Sequence, residues 1–339
     1  MKRTLKLLLA GLALALCCCT PKVNPDHTPQ EQTPQEQTPA DPPKKDYPID
    51  VAEAFQKEGL IIKVKSANNY SPHSGVDVTE IRYTDYASNP QAVFVMQVDL
   101  SDPTVSMTNT VPGGSTVGFT KGAERLSGQF KRIDAPGSKV IGGINTDFFT
   151  TTAGATEGQA QGIFWHNGSC LKNSFNSQKT RPRNFVYWDK EEKVTIAASA
   201  DYAAVRTSTA LQEAFSGGQY LVKDGALASI VEDSVYGVHP RTMFGVQKNK
   251  QRIILVVLDG RNSVLAAGMN YPDMQRIMLA LGSYDAINLD GGGSSTFIVR
   301  DTRPEATGFG SGAAFLIRNM PSDGSERAIG PGLAVLASD

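Results

Sequence analysis

The sequence predicts an α+β fold with more strand than helix: a mixed sheet, a few packed helices, and an additional β-rich section at the front. Three observations lead there. Residues 76–83 (VDVTEIRY) alternate strictly and 92–100 (AVFVMQVDL) follow them, with Asn, Gly and Pro in the turns. Residues 252–300 hold two apolar runs, 253–258 and 286–289, that each lead into an Asp-Gly corner, with a helix-like segment between them. Closing strands are expected at 313–318 and 333–336.

Lys2, Arg3 and Lys6, the apolar run 7–16 and Cys17-Cys18-Cys19 form an export leader of the lipoprotein type over residues 1–19. The apolar run is too short to span a bilayer. Residues 20–48, with a tandem TPQEQ, are a Pro/Thr/Gln tether that cannot build a core. A lipid anchor and a cell-envelope location are therefore expected. Cys170 is then alone, so neither a disulfide framework nor a thiolate metal site is available.

The folded part divides into a β-rich section, 49–139, and a catalytic domain, 140–339. It opens on a short helix, 51–58, with Asp50 as N-cap and Gly59 as stop. Strands follow at 60–65, 76–83 and 92–100, then at 140–144, 184–188 and 194–198, and Lys223-Asp224-Gly225 is a hairpin turn. In the 252–300 unit, Pro272 stands in the first helical turn, Met274, Ile277, Met278 and Leu281 make the apolar stripe, and Gly282 ends it. Joined as parallel neighbours by a right-handed crossover, the two strands would bring Asp259 and Asp290 together at one sheet edge.

A net charge of −1 and no basic run interleaved with aromatics exclude nucleic acid as a partner. The chemistry-bearing residues fall in a few stretches. Gly291, Gly292, Gly293, Ser294 and Ser295 offer backbone N–H groups for an anion nest, though no Gly-Lys-Ser/Thr makes it a P-loop. Arg241, after His239-Pro240, starts a strand and reads either as a surface charge or as a fork for a phosphate or carboxylate. Asn145 and Asp147 end the strand in KVIGGINTDFF, either as polar groups on an apolar floor or as an Asx turn. No cofactor is required by the sequence, although Asp147, Asp259 and Asp290 could collect a calcium ion (Ca2+) through oxygen ligands.

Four blocks, GGINTDFF, HPRTMFGV, VLDGR with NLDGGGSST, and RNMPSDGSER, resemble the phosphodiester glycosidase family, in that order, over residues 140–336. The resemblance implies hydrolysis of the glycosyl C–O bond of a sugar-1-phosphodiester, an N-acetylglucosamine-like sugar on a cell-envelope or other glycan. On that reading Asp290 is the first catalytic carboxylate, Asp259 the second and His239 the fallback acid or base. Arg241, Arg261, Arg327 and the 291–295 nest hold the phosphate, and Asn145, Asp147 and Asn288 hold sugar hydroxyls. Relatives often carry Asn-Gly before the aromatic pair where this chain has Thr146-Asp147, so the pocket floor is not carried over. Two other classes stay open: a phosphodiesterase cleaving P–O, and a non-catalytic glycan-binding lipoprotein.

Overall fold

The computed structural model describes residues 47–114, 119, 122–176, 183–230, 237–303 and 308–338. The expected leader and nearly all of the tether lie outside the described residues. Residues 45–339 form one compact unit.

An eight-stranded sheet organises this unit. Its order is Ile61–His73, Val76–Asp85, Pro90–Asp99, Arg252–Leu258, Arg241–Val246, Asp285–Asn288, Tyr220–Lys223 and Ala226–Leu227. The front strands therefore share a sheet with the expected catalytic unit. Both faces of the sheet are covered, which explains the unbroken apolar runs at its centre. Ile253, Leu255 and Val257 face one core together with Phe94, Met96 and Val98. Ile254, Val256 and Leu258 face the other with Val93 and Val95.

The second face is covered by the helices Val51–Lys57 and Tyr271–Ala280. The first begins on its expected cap, with Asp50 Oδ1 accepting from the Glu53 N–H at 3.0 Å, and the second, with Pro272 in its first turn, is capped by Asn270, whose Oδ1 accepts from the Asp273 N–H at 3.0 Å. Each ends before a glycine of positive φ, Gly59 and Gly282. Among the described residues no helix is long and apolar enough to cross a membrane.

Two five-stranded sheets cover the first face. One runs Phe315–Ile317, Phe297–Arg300, Lys139–Asn145, Gly332–Ala337, Val105–Thr110, and the other Thr195–Ala198, Asn184–Trp188, Glu213–Gly217, Phe164–His166, Ser169–Lys172. The Gly142-Gly143 pair has a steric reason. A Cβ on Gly142 would meet the Ile298 carbonyl and one on Gly143 the Leu333 carbonyl, so both flanking strands close only on glycine.

The pairings differ from the expected parallel crossover. Arg252–Leu258 and Asp285–Asn288 do run parallel, but Arg241–Val246 lies between them, antiparallel to each. Hydrophobic pattern gives the direction and face of a strand but not its neighbour, and here an earlier strand takes the central place.

Glu213 joins the two five-stranded sheets. Its buried carboxylate accepts from Thr108 Oγ1 at 2.8 Å and from the N–H groups of Asn109 and Asn167, each at 3.3 Å, and His166 Nδ1 lies 3.2 Å away. In Glu213→Gln an amide N–H would face these donors, so urea unfolding should show a loss of about 3 kcal/mol. An unchanged midpoint would remove Glu213 from the sheet junction.

Candidate functional site

The site forms where the edge of the large sheet meets the end of the strand Lys139–Asn145. Asp290, two residues beyond Asp285–Asn288, is clamped there by its backbone: its N–H donates to the Thr146 carbonyl at 2.9 Å, and its carbonyl accepts from Asn145 Nδ2 at 2.6 Å. Asn145 Oδ1 in turn accepts from Thr242 Oγ1 and from the Thr296 N–H, both at 3.0 Å. Asn145, expected to hold a sugar hydroxyl, thus spends its amide tying three segments together behind the site. Ser295 has a similar position, its Oγ 3.3 Å from Thr242 Oγ1 and its carbonyl accepting from Asn319 Nδ2 at 3.0 Å.

A cavity of about 230 Å³ opens beside this clamp. Asp290 lines it with Asn288, His239, Arg241 and Arg261, and Phe148 and Tyr271 add aromatic wall. Enclosure pushes the Asp290 carboxyl up to about 6, against the opposing pull of the Ser294 hydroxyl, Arg327, the Gly291 N–H and Arg183. Asn288 is buried, and its Oδ1 has no hydrogen-bond partner among the described residues. Burial, Arg241 and Arg261 hold the His239 imidazole below its usual value, so at neutral pH it is an acceptor rather than an acid.

Arg241 donates from Nε to the Met269 carbonyl at 3.1 Å and from Nη2 to the Gly237 carbonyl at 2.6 Å, with its guanidinium 4.7 Å from the Tyr271 ring centroid. Two of its donors are thus spent on the chain's own carbonyls, which fixes the guanidinium in place at the cavity. Arg261, which also lines the cavity, has φ 62 and reaches Ser322 Oγ at 3.4 Å. Arg327 is paired with Asp323, at 2.7 Å from Nε, and reaches Ser294 Oγ at 3.4 Å from Nη1.

The 291–295 segment is not the nest that its sequence suggests. The Gly292 N–H donates to the Pro240 carbonyl, and those of Ser294 and Ser295 to the carbonyls of Gly291 and Gly292. The glycines are needed for approach: Gly292 has φ 62, and a Cβ on Gly293 would collide with the Arg327–Asp323 pair. The segment is a seat for arginines rather than a cradle of N–H groups.

Asp259 also departs from its expected partnership. Leu258 pairs with Arg241 and Met243 with Asn288, so Asp259 and Asp290 sit at one edge with a strand between them, about 10 Å apart at the backbone. Asp259 is fully buried and accepts through Oδ1 from the Met320 N–H at 2.8 Å and Asn319 Nδ2 at 3.3 Å. Burial pushes its carboxyl up to about 6. Its bonds anchor the segment that carries Asp323 and Arg327 to the site.

The carboxylate that does couple to Asp290 is Asp147. Burial pushes it up to about 7; the Arg183 guanidinium and the Gly162 N–H oppose the rise, and the Asp290 charge adds to it. Asp147 Oδ2 accepts from the Gly162 N–H at 2.8 Å, and Oδ1 lies 3.6 Å from Arg183 Nη1. Arg183 also stacks on Phe148, 4.5 Å from the ring centroid. This arginine was not expected, yet it has a signal: Pro182-Arg183 stands just before the strand Asn184–Trp188, and Pro240 likewise stands before Arg241, the first residue of its own. Among the described residues no group of three His, Cys, Asp or Glu side chains converges on a metal position, so Asp147, Asp259 and Asp290 do not form the calcium site considered above.

The fold resembles the catalytic domain of zebrafish N-acetylglucosamine-1-phosphodiester alpha-N-acetylglucosaminidase, in a form auto-inhibited by its pro-peptide, with a TM-score of 0.55 over 82% of this chain and 88% of that one, at 20% identity. It also resembles a hypothetical protein from Synechocystis, with a TM-score of 0.51 over 80% of this chain and 64% of that one, at 13% identity. At these identities the likeness is one of fold. No curated protein sequence matches the chain. The sequence pattern of one family does match, across residues 138–336 and so over more than half of the chain, and by it the protein belongs to the phosphodiester glycosidase family.

Proposed function

We propose that this chain hydrolyses the glycosyl C–O bond of a sugar-1-phosphodiester, with an N-acetylglucosamine-like sugar seated on Asn288 and Phe148. The observation that carries the reading is a single enclosed carboxylate, Asp290, in a cavity whose other polar walls are Arg241, Arg261 and His239. Breaking the anomeric C–O bond builds positive charge on the sugar and negative charge on the departing phosphate. Asp290 faces the first, as nucleophile or as base for water, and the arginines face the second. Water supplies the new hydroxyl of the sugar, the bridging oxygen leaves with the phosphomonoester, and the proton released passes to Asp290. A phosphomonoester leaves without strong acid help, so a neutral His239 is no obstacle.

Asp259 and Asp147 act at one remove. Asp259 fixes the segment that seats Arg327, and Asp147 with Arg183 sets the field behind Asp290. The apolar leader, the three adjacent cysteines and the proline-rich tether favour a lipid-anchored location at the cell envelope.

The direct test is turnover of an N-acetylglucosamine-1-phosphodiester in ¹⁸O water. Label is expected in the sugar with an unlabelled phosphomonoester, and label in the phosphate would make the protein a phosphodiesterase instead. Asp290→Asn should lower kcat by about a thousandfold or more while a sugar-1-phosphate still binds; retained turnover would take the reacting role from Asp290.

The pH profile has a definite sign. Asp290 works ionised, so kcat/KM should rise through about pH 6. Asp147 ionises at about 7, and the added negative charge behind the cavity should weaken capture of an anionic substrate, so the profile should fall again above that point. In Asp147→Asn the falling limb should vanish while the rising limb stays; a falling limb that persists would place its origin elsewhere.

A further inference from the structure

The loop that carries Arg261 has a tip that the reaction does not use. Asn262 Oδ1 accepts from the N–H groups of Val264 and Leu265, at 3.1 and 3.0 Å, and the Asn262 and Ala266 backbones exchange hydrogen bonds at 2.9 and 3.0 Å. The Arg261 N–H donates to the Ala267 carbonyl at 3.1 Å, and the Ala267 N–H to that of Pro90 at 2.8 Å, which fastens the loop to the large sheet. The tip is thus held in shape, and it presents Val264 and Leu265 to solvent at 77% and 49% exposure. Val238, at 47%, precedes His239, whose backbone packs against Gly260 and Gly268 at the base of the same loop. Three of the eight exposed large hydrophobic side chains of the described residues therefore belong to this loop and to the segment that packs at its base. Single exposed aliphatics are ordinary, but a rigid group of them beside a cationic cavity is not.

The cavity volume gives this group its meaning. About 230 Å³ has room for a monosaccharide and its phosphate but not for a large second alcohol as well. Arg261 and His239 line the cavity, and the exposed aliphatic side chains stand on the segments that carry them: Val264 and Leu265 on the loop of Arg261, Val238 next to His239. Building on the hydrolytic function proposed above, we infer that these side chains form a lipid-facing edge and that the phosphodiester is drawn from a membrane surface, its aglycone an apolar lipid. Arg241, Arg261 and His239 then lie at the depth of the headgroup phosphate, with the aliphatic tip one layer deeper.

The test compares residues 45–339, the compact unit, with a Val264→Ser, Leu265→Ser double variant. Two exposed serines leave the hydrogen-bonded loop intact. The probes are a methyl N-acetylglucosamine-1-phosphodiester in solution and a hexadecyl one in phosphatidylglycerol vesicles. Wild type should prefer the vesicle-borne ester by about tenfold or more in kcat/KM, and the variant should lose that preference while its methyl-ester rate stays the same. Equal rates on the two esters in wild type, or a preference that survives in the variant, would overturn the inference. Sedimentation with substrate-free phosphatidylglycerol vesicles reads the edge without catalysis: wild type should bind about tenfold more tightly than the variant, and equal binding would overturn it. If neither ester turns over, the hydrolytic reading has failed and sedimentation alone decides the lipid edge.

Discussion

The site depends on the amide of Asn145. It is the last residue of a strand in one sheet, and it grips the backbone of Asp290, two residues beyond the end of a strand in another. Its carbonyl oxygen at the same time receives Thr242, from the strand that carries Arg241, and the Thr296 N–H, just beyond the glycine segment. A buried amide with both ends occupied permits little movement, because breaking either bond strands a polar group away from water. The carboxylate, the guanidinium wall and the glycine corner are thereby fixed relative to one another, although they belong to separate sheets.

Around that knot the chain tolerates an unfavourable electrostatic arrangement. Asp147, Asp259 and Asp290 are all enclosed and all pushed above the ordinary carboxylate range, to about 7, about 6 and about 6. The buried carboxylate of Asp134, away from the cavity, is bonded differently: it receives Arg300 at 2.7 Å together with the N–H groups of Val140 and Gly310. The contrast is in the bonding, since Asp147 and Asp259 each leave one oxygen without a hydrogen bond while the buried Asp134 has both engaged. Raised carboxylates in a cleft beside arginines are the ordinary mark of a reacting centre. Arg327 and Arg183 keep Asp290 from rising further.

Much of this was legible in the chain, and the part that was not has a physical reason. Strands buried on both faces announce themselves as continuous apolar runs, so Arg252–Leu258 and the Asp-Gly corners that follow it and its counterpart stand out. Caps and stops at Asp50, Gly59 and Gly282 are local and were read correctly. Pairing is not local: nothing in 252–300 shows that Arg241–Val246 will insert between its two strands and separate Asp259 from Asp290. Nor does a run of glycines reveal whether its N–H groups will face a ligand or be used by Pro240 and by the turn itself. The coupling of Asp147 to Asp290 and Arg183 likewise depends on how three sheets meet, which no spacing in the chain encodes.

The front strands bear on the site for the same reason. Residues 138–336 carry the family pattern, yet Arg252–Leu258 has Pro90–Asp99 along one whole side. From that side come the Ala92 carbonyl, which accepts the Asp259 N–H, and the Pro90 carbonyl, which accepts that of Ala267. Glu80, one strand further out, takes a forked pair of bonds from Arg318 at 2.6 and 2.9 Å, immediately before Asn319 and Met320 meet Asp259. The segment that seats Arg327 and the loop that carries Arg261 are therefore both braced by residues outside the matched region. The arginines of the cavity are thus held in place in part by the β-rich opening of the chain, and a description of the site confined to the residues that line it would leave out what aims them.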